Sequence, residues 1–519
     1  MNKISRRGAT LTVLALTAVP VSPPAVAGPY GTVVVAQVSG TPSPPAAGNS
    51  PFAGCDISRF YDPALEMNYL NTEVSPWVAV NPTDPRNIIG VYEQDHFSGG
   101  SSKGLVAAVS HDGGQTWAAT FPPFSICAGG DATNGGDFQR AREPKVTFAP
   151  NGDAYFTSRS ANAVGARETA VLVSKSMDGG NHWSQPITLA RDFSDAAPFY
   201  ANSRESVTAD PLDSNYVYVV WNRTRKAGGA QSENAERSSA FRGDLMFSRT
   251  TDGGRTWEQS KAIVQYKDNS ETFASQLAVL PDTTLVVIFD NVQGAGCVQG
   301  NGNGCDIKVI RSTDRGQTWS DPIEVAPEGA IPPVDPDTGA PIFVDLGRPN
   351  LAVDLNPSSP RYGTIYAVWA DSFGSPPKTP YSTVVFTQSS DGGRTWSRLV
   401  KVNPSPTGVQ AFTPSVTVAR DGTVAVTYYD FRRNTPDPGV PTDLWMIHCH
   451  AASDCTDSAN WEESHVAGSF DIERAPVGTH GYYLGDYAGL TSNGTVFLPF
   501  FAQSAPTDQS STYVGIVSP

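Results

Sequence analysis

An octapeptide recurs five times along this chain: Ser110–Trp117 (SHDGGQTW), Ser176–Trp183 (SMDGGNHW), Thr250–Trp257 (TTDGGRTW), Ser312–Trp319 (STDRGQTW) and Ser389–Trp396 (SSDGGRTW). Its aspartates, Asp112, Asp178, Asp252, Asp314 and Asp391, stand about 60 to 80 residues apart. That period is too long for a solenoid repeat and is of the order of one propeller blade with its loops. The repeat has the chemistry of a tight hairpin. A short carboxylate accepts backbone amides two or three residues on, glycines supply positive φ, and the tryptophan can pack on the neighbouring repeat.

Each box is preceded by the same two-strand pattern, which lets the units be counted. The first strand reads Pro-x-Val or similar, at Pro76-Trp77-Val78, Pro144-Lys145-Val146, Glu205-Ser206-Val207, Ser275-Gln276-Leu277, Pro349-Asn350-Leu351, Pro414-Ser415-Val416 and Tyr487-Ala488-Gly489. Turns such as Asn151-Gly152-Asp153 and Asp421-Gly422-Thr423 follow. The second strand ends at or near Tyr92, Phe156, Trp221, Phe289, Trp369, Tyr429 and Phe501, which makes seven units. The sixth replaces its box with Cys449 to Trp461, and the seventh ends after a third strand, Ser511 to Val517. A spare strand at Gly31 to Val38 can supply the missing fourth and join the two termini. The expected fold is all-β, a seven-bladed β-propeller of four-stranded antiparallel blades, with six blades as the alternative and almost no helix.

Residues 1–27 read as a signal peptide: Lys3, Arg6 and Arg7 precede an apolar run from Ala9 to Val19 and then Ala25-Val26-Ala27. That run is shorter than the roughly 20 residues of a membrane span, and no later segment is long and apolar enough. A secreted, extracellular protein without membrane insertion is expected. Residues 28–72 hold the spare strand and a Pro-, Ser- and Ala-rich linker, and 73–519 the propeller. Six cysteines suit an oxidising compartment, and proximity suggests Cys55 with Cys127, Cys297 with Cys305 and Cys449 with Cys455. A net charge of −15 argues against nucleic acid or an anionic membrane as partner. No cofactor is expected: calcium would suit the loop Asp335-Pro336-Asp337-Thr338-Gly339, which is also ordinary turn composition. His448 and His450 alternate along a strand and read as a solvated or packed pair. A monomer is expected.

If the box joins strands three and four, the start of strand one and the end of strand two share the opposite face. The position before each Pro-x-Val carries Ser75, Glu143, Arg204, Ala274, Arg348, Thr413 and Asp486. Second strands end at Glu93, Arg159, Arg223, Asp290, Asp371 and Asp430. A mixed ring of arginines and carboxylates is therefore expected at one mouth of the channel. Such charges either pair with one another and cap it, or do chemistry there. Tyr428-Tyr429-Asp430 and the run from Tyr482 to Tyr487 bring aromatics to the same face.

The octapeptide resembles the Asp box of sialidases and their propeller relatives, S/T-x-D-x-G-x-T-W. Asp boxes also occur in non-sialidase propellers, and in the family they lie opposite the active site, so the resemblance implies structural box aspartates. Sialidases have six blades, the source of the alternative count. The resemblance further implies arginines that hold the substrate carboxylate, a tyrosine nucleophile assisted by a glutamate, and an aspartate as acid/base. Ala141-Arg142-Glu143-Pro144 resembles a degenerate F/Y-R-I-P, with Ala141 in place of the aromatic and Glu143 in place of Ile. Glu143 with Arg159, or Glu205 with Arg223, resembles the family's glutamate before one strand and arginine at the end of the next. On this reading Arg142, Arg204, Arg223 and Arg348 bind substrate, and Tyr429 or Tyr483 attacks the anomeric carbon. Glu143 or Glu205 activates the tyrosine, and Asp430 or Asp486 protonates the leaving oxygen. The implied activity is that of a secreted exo-α-sialidase-like glycosidase taking a terminal acidic sugar from a glycan. Two other readings stay open: a non-catalytic extracellular propeller that binds glycan or protein, and a polysaccharide lyase with a Tyr or His base, His96 or His480 being placed near that face.

Overall fold

A computed structural model describes residues 26–27, 32–39, 50–162, 168–193, 199–226, 241–267, 270–293, 305–344, 348–478, 480–506 and 508–518. The signal-peptide segment up to residue 25, most of the linker and Cys297 lie outside the described residues. The chain is all-β. Helix among the described residues is limited to 3-10 turns such as Ser58–Phe60 and Ser458–Asn460. No helix among them is long and apolar enough to cross a membrane.

The strands group in fours. In the first unit Glu73–Val80, Ile88–His96, Ser102–Ser110 and Ala118–Thr120 pair antiparallel in chain order. The pattern repeats from first strands Arg140–Phe148, Phe199–Ala209, Ser270–Val279, Asn350–Val353 and Ala411–Val418. In the last unit Gly489–Asn493, Val496–Ala505 and Asp508–Val517 pair in order. Its fourth place is taken by Thr32–Gln37 from the other end of the chain, Val33 lying opposite Val517 and Gln37 opposite Tyr513. First strands lie beside one another in succession, and Gly489–Asn493 returns against Glu73–Val80.

The second strands are apolar on both faces because each sheet is covered on both sides by its neighbours. All nine residues of Ile88–His96 are buried. The core therefore sits between adjacent sheets: Tyr366 and Phe386 of the fifth unit, for example, pack with Val426 and Trp445 of the sixth.

The boxes close the hairpins by the chemistry of their letters. Asp391 Oδ1 accepts the amides of Arg394 and Thr395, both at 2.9 Å, and Oδ2 accepts the Thr395 hydroxyl at 2.7 Å. The Ser389 hydroxyl donates to Oδ1 at 2.9 Å and accepts the Gly393 amide at 2.9 Å. Gly392 and Gly393 take φ of 75° and 82°. The tryptophans reach across to the preceding unit: Trp319 packs on Phe247, and Trp117 on Phe500 of the seventh unit. The sixth unit solves the same turn differently. Box residues Ser110, Ser176, Thr250, Ser312 and Ser389 each pair with the first residue of their second strand, and Cys449 takes that register place opposite Val424. Cys449 is bridged to Cys455, and Cys55 to Cys127.

Hydrogen bonds from the Thr256 hydroxyl and amide hold the Asp252 carboxyl below its ordinary 3.8, at about 2. A depressed carboxyl stabilises the fold above its unfolded value and loses that contribution as pH falls through its folded one. Acid denaturation should therefore show a loss of stability between pH 3.8 and about 2 that shrinks in Asp252→Asn. In urea at neutral pH, Asp391→Ala should lose about 1–2 kcal/mol, the net worth of a charge-assisted turn bond.

Candidate functional site

The site begins with a backbone irregularity. First strands lose register with their partners between Val74 and Trp77, Arg142 and Lys145, Ser203 and Ser206, Phe273 and Gln276, and Phe412 and Ser415. Inside each break one non-glycine residue is left-handed: Ser75 (φ 55°), Glu143 (59°), Arg204 (58°), Ala274 (48°) and Thr413 (51°). Each such residue costs about 1–2 kcal/mol. A bulge of this kind re-aims a side chain that a regular strand would point into the core. The equivalent positions in the fifth and seventh units are Arg348 and Asp486.

The re-aimed groups meet. Arg142 Nε lies 3.1 Å from Glu143 Oε1, and its Nη2 3.1 Å from Asp486 Oδ2. Arg348 Nη1 approaches the same Asp486 oxygen at 3.9 Å. The Arg204 amide donates to Glu143 Oε2 at 2.5 Å, and the Glu143 amide to Glu93 Oε1 at 3.2 Å. The Arg204 guanidinium lies 3.4 Å from the centre of the Phe273 ring, and that of Arg348 4.7 Å from Tyr487. Tyr483, 1% exposed, shares a 3.1 Å hydrogen bond with Ser75 and stacks between His96 (4.7 Å) and Phe343 (5.1 Å). His96 faces Glu93 at 3.6 Å, and His480 lies against Phe343.

Burial and charge sort the carboxyls into two kinds. Burial pushes Glu143 up, but Arg142, Arg159, Arg204 and Arg348 outweigh it and hold the group well below the usual range, so it is ionised. Glu205, 1% exposed, is pushed well up by burial and then by the charge of Glu143. Burial, then Asp486 and Glu93, push the Tyr483 phenol up.

Of the residues expected at the site, Arg142, Arg204, Arg348, Glu143, Glu205, Asp486 and Tyr483 are thus gathered in one cluster. Arg223, Tyr429 and Asp430 are engaged elsewhere. Arg223 makes a two-pronged pair with Asp192 (2.5 and 2.8 Å) and lies over Tyr200. Tyr429 is in the core between the sixth and seventh units, stacked on Phe412, its hydroxyl donating to the Ala502 carbonyl at 2.8 Å. Asp430 accepts from Ser405 (2.6 Å) and Arg432 (2.7 Å), and Arg432 joins it to Glu463 and Tyr428.

Lys145 was missed. It is 7% exposed, and its Nζ sits 3.2 Å from the Trp77 ring centre and 3.3 Å from that of Tyr487. Burial, then the charge of Arg348, push its pKa well down. Lys145 lines a cavity of about 30 Å³ with Ser206, Gln276, Asn350, Arg348 and Asp486. The signal was the middle letter of Pro-x-Val, which is polar in Lys145, Ser206, Gln276, Asn350 and Ser415.

Two groups among the described residues have metal-ligand composition: Asp290, Cys305 and Glu328, and His448, His450 and Glu462. Cys305 is disulfide-bonded, which removes its thiolate. In the loop at Asp335, the carboxylate is already occupied by the amides of Asp337 and Thr338 and the Thr338 hydroxyl.

Because burial and Glu143 push Glu205 up while the arginines hold Glu143 down, their amide variants should differ. Glu143→Gln strips the counter-charge from buried arginines and should cost about 3–5 kcal/mol in urea at neutral pH. Glu205→Gln removes a carboxyl whose charged form burial already disfavours and should stay within about 1 kcal/mol of wild type.

Residues 86–285 match the family model described as a BNR repeat-like domain. No curated protein matches the chain. Similar solved structures include an α-L-arabinofuranosidase from Fusarium graminearum in complex with an iminosugar inhibitor. It is 16% identical, with 72% of this chain and 89% of that chain covered and a TM-score of 0.44. The intramolecular trans-sialidase from Ruminococcus gnavus is 12% identical, with 75% and 96% covered and a TM-score of 0.45. A Hadza microbial sialidase is 14% identical, with 82% and 73% covered and a TM-score of 0.45. Three of the boxes fall inside the matched segment and two beyond it, so the chain carries a BNR repeat-like domain over residues 86–285 and further copies of its box beyond that domain.

Proposed function

We propose that the four-stranded units are the blades of a seven-bladed β-propeller, and that the protein is a secreted, sialidase-type glycoside hydrolase that removes a terminal acidic sugar. The return of Gly489–Asn493 against Glu73–Val80 supports the blade count. The two disulfides Cys55–Cys127 and Cys449–Cys455 support an oxidising compartment. One observation carries the activity: arginines from three units, Arg142, Arg204 and Arg348, gather round Glu143 and Asp486 at the mouth that also holds Tyr483. A substrate carboxylate entering this mouth takes over Arg142 and Arg348 from Asp486. Asp486, whose charge reaches the phenol, then accepts the Tyr483 proton as the phenol oxygen attacks the anomeric carbon. Glu205, whose carboxyl burial pushes well up, serves as the acid that protonates the departing oxygen. Lys145 and Arg348 line a cavity with room for a carboxylate or a few waters, and a whole sugar ring stays outside it.

A second reading is favoured by a different observation. The Tyr483 hydroxyl is buried and bonded to Ser75, and its environment raises its pKa, the opposite of an activated nucleophile. The same arginines would then serve a non-catalytic module that binds acidic glycans.

Release of a fluorescent leaving group from a sialic-acid glycoside by the mature protein, at mildly acidic and neutral pH, separates the two. Tyr483→Phe should lower turnover by at least about a hundredfold. Arg348→Ala and Arg204→Ala should both be impaired, and Tyr429→Phe should remain near wild type. Absence of turnover by folded wild type, with retained binding of free sialic acid, sinks the hydrolase and leaves the binding module.

A further inference from the structure

The sixth unit ends its third strand, Pro441–Cys449, without an Asp box, and what stands there instead carries metal-ligand chemistry. His448 is fully buried, at 0% exposure, yet neither Nδ1 nor Nε2 has a hydrogen-bond partner. A buried imidazole with both nitrogens unsatisfied is costly, and such groups point to a water or an ion. Its surroundings favour the ion. Glu462 is its cross-strand partner in the register, and Glu462 Oε2 lies 3.6 Å from His448 Nε2. His450, two residues on, turns its ring to within 5.0 Å of that of His448 at 83°. One ligand atom from each of His448, His450 and Glu462 lies within 4.8 Å of the others. On the other side the cross-strand neighbour is Ala425, whose methyl group leaves no polar partner for the ring.

We infer that His448, His450 and Glu462 form a binding site for a single divalent cation of the zinc class. Two imidazoles and one carboxylate are a borderline-soft donor set that suits Zn²⁺ and leaves a fourth position for water. Calcium and magnesium, which take oxygen ligands, do not suit it. His450 is exposed and Glu462 half-exposed, so an ion reaches the site from solvent while His448 anchors it beneath. The ion would tie the third strand to the fourth strand, Glu462–Asp471, at the hairpin where the other units use the aspartate of the box. The Cys449–Cys455 bridge holds the loop itself, and the ion holds the strands that enter and leave it. The site is independent of the glycan chemistry at the opposite end of the unit.

The test is titration of chelator-stripped, full-length mature protein with zinc chloride, followed by calorimetry and by thermal unfolding. Wild type should bind one equivalent and unfold at a higher temperature with zinc than without. His450→Ala and Glu462→Gln, both at accessible positions that leave the buried ring in place, should each weaken binding by at least about tenfold and lose the shift. With copper(II) in place of zinc, the paramagnetic resonance spectrum of wild type should show two coordinated imidazole nitrogens, falling to one in His450→Ala. No zinc binding by wild type overturns the site. So does binding that is unchanged in both variants, which would place the zinc on other surface histidines.

Discussion

The break in register of the first strands is the constraint from which the functional end of the molecule follows. Successive first strands lie side by side, and long side chains in regular alternation would compete for the same space. The bulge meets this by holding one residue left-handed, at a cost of about 1–2 kcal/mol each. In exchange, the side chains of Glu143 and Arg204 leave their sheets and share one mouth with those of Arg348 and Asp486. The boxes stand at the other end of the same sheets, where they close hairpins and bring tryptophans against the preceding unit. Stability at one end thus supports strain at the other.

Charge compensation at the mouth follows the same division. The chain carries a net charge of −15, yet Arg142, Arg204, Arg348 and Lys145 concentrate at one end of the sheets. Glu143 stays ionised because the arginines outweigh its burial, and Glu205 is pushed up by burial and then by the charge of Glu143. Lys145 is handled differently, wedged between the faces of Trp77 and Tyr487, whose electron-rich rings replace part of its lost hydration. The cluster is therefore self-neutralised, and an anion from outside gains entry by displacing Asp486 from its arginines.

Much of the fold was legible in the sequence because its determinants are local and periodic. The boxes repeat a hairpin whose letters state their hydrogen bonds, and the Pro-x-Val pattern marks each first strand. The site was legible where charge marked it, at Arg142, Glu143, Arg204, Arg348 and Asp486. It was less so where geometry decided. Tyr429 and Tyr483 are equally aromatic in the sequence, but Tyr429 lies near the end of a second strand and packs between sheets. Arg223 and Asp430 share that position and find partners in their own surroundings, Asp192 and Arg432. The left-handed residues carry no common letter, since Ser75, Glu143, Arg204, Ala274 and Thr413 have nothing in common but place.

Access to Tyr483 is governed by how weakly its own segment is held. Tyr483 ends the short strand Gly481–Tyr483, which belongs to none of the four-stranded units. That strand pairs in parallel with Ile342–Phe343 and antiparallel with Val477–Gly478, two residue pairs on each side. The units, by contrast, are knit by long ladders such as Val217–Lys226 against Phe241–Thr250. Elements with few backbone bonds open at the lowest free energy. Uncovering the phenol therefore asks for displacement of the three-stranded patch formed by these short strands, with the aromatic stack of His96 and Phe343 as the principal resistance. A ligand that replaces this stacking by its own ring face recovers much of that cost.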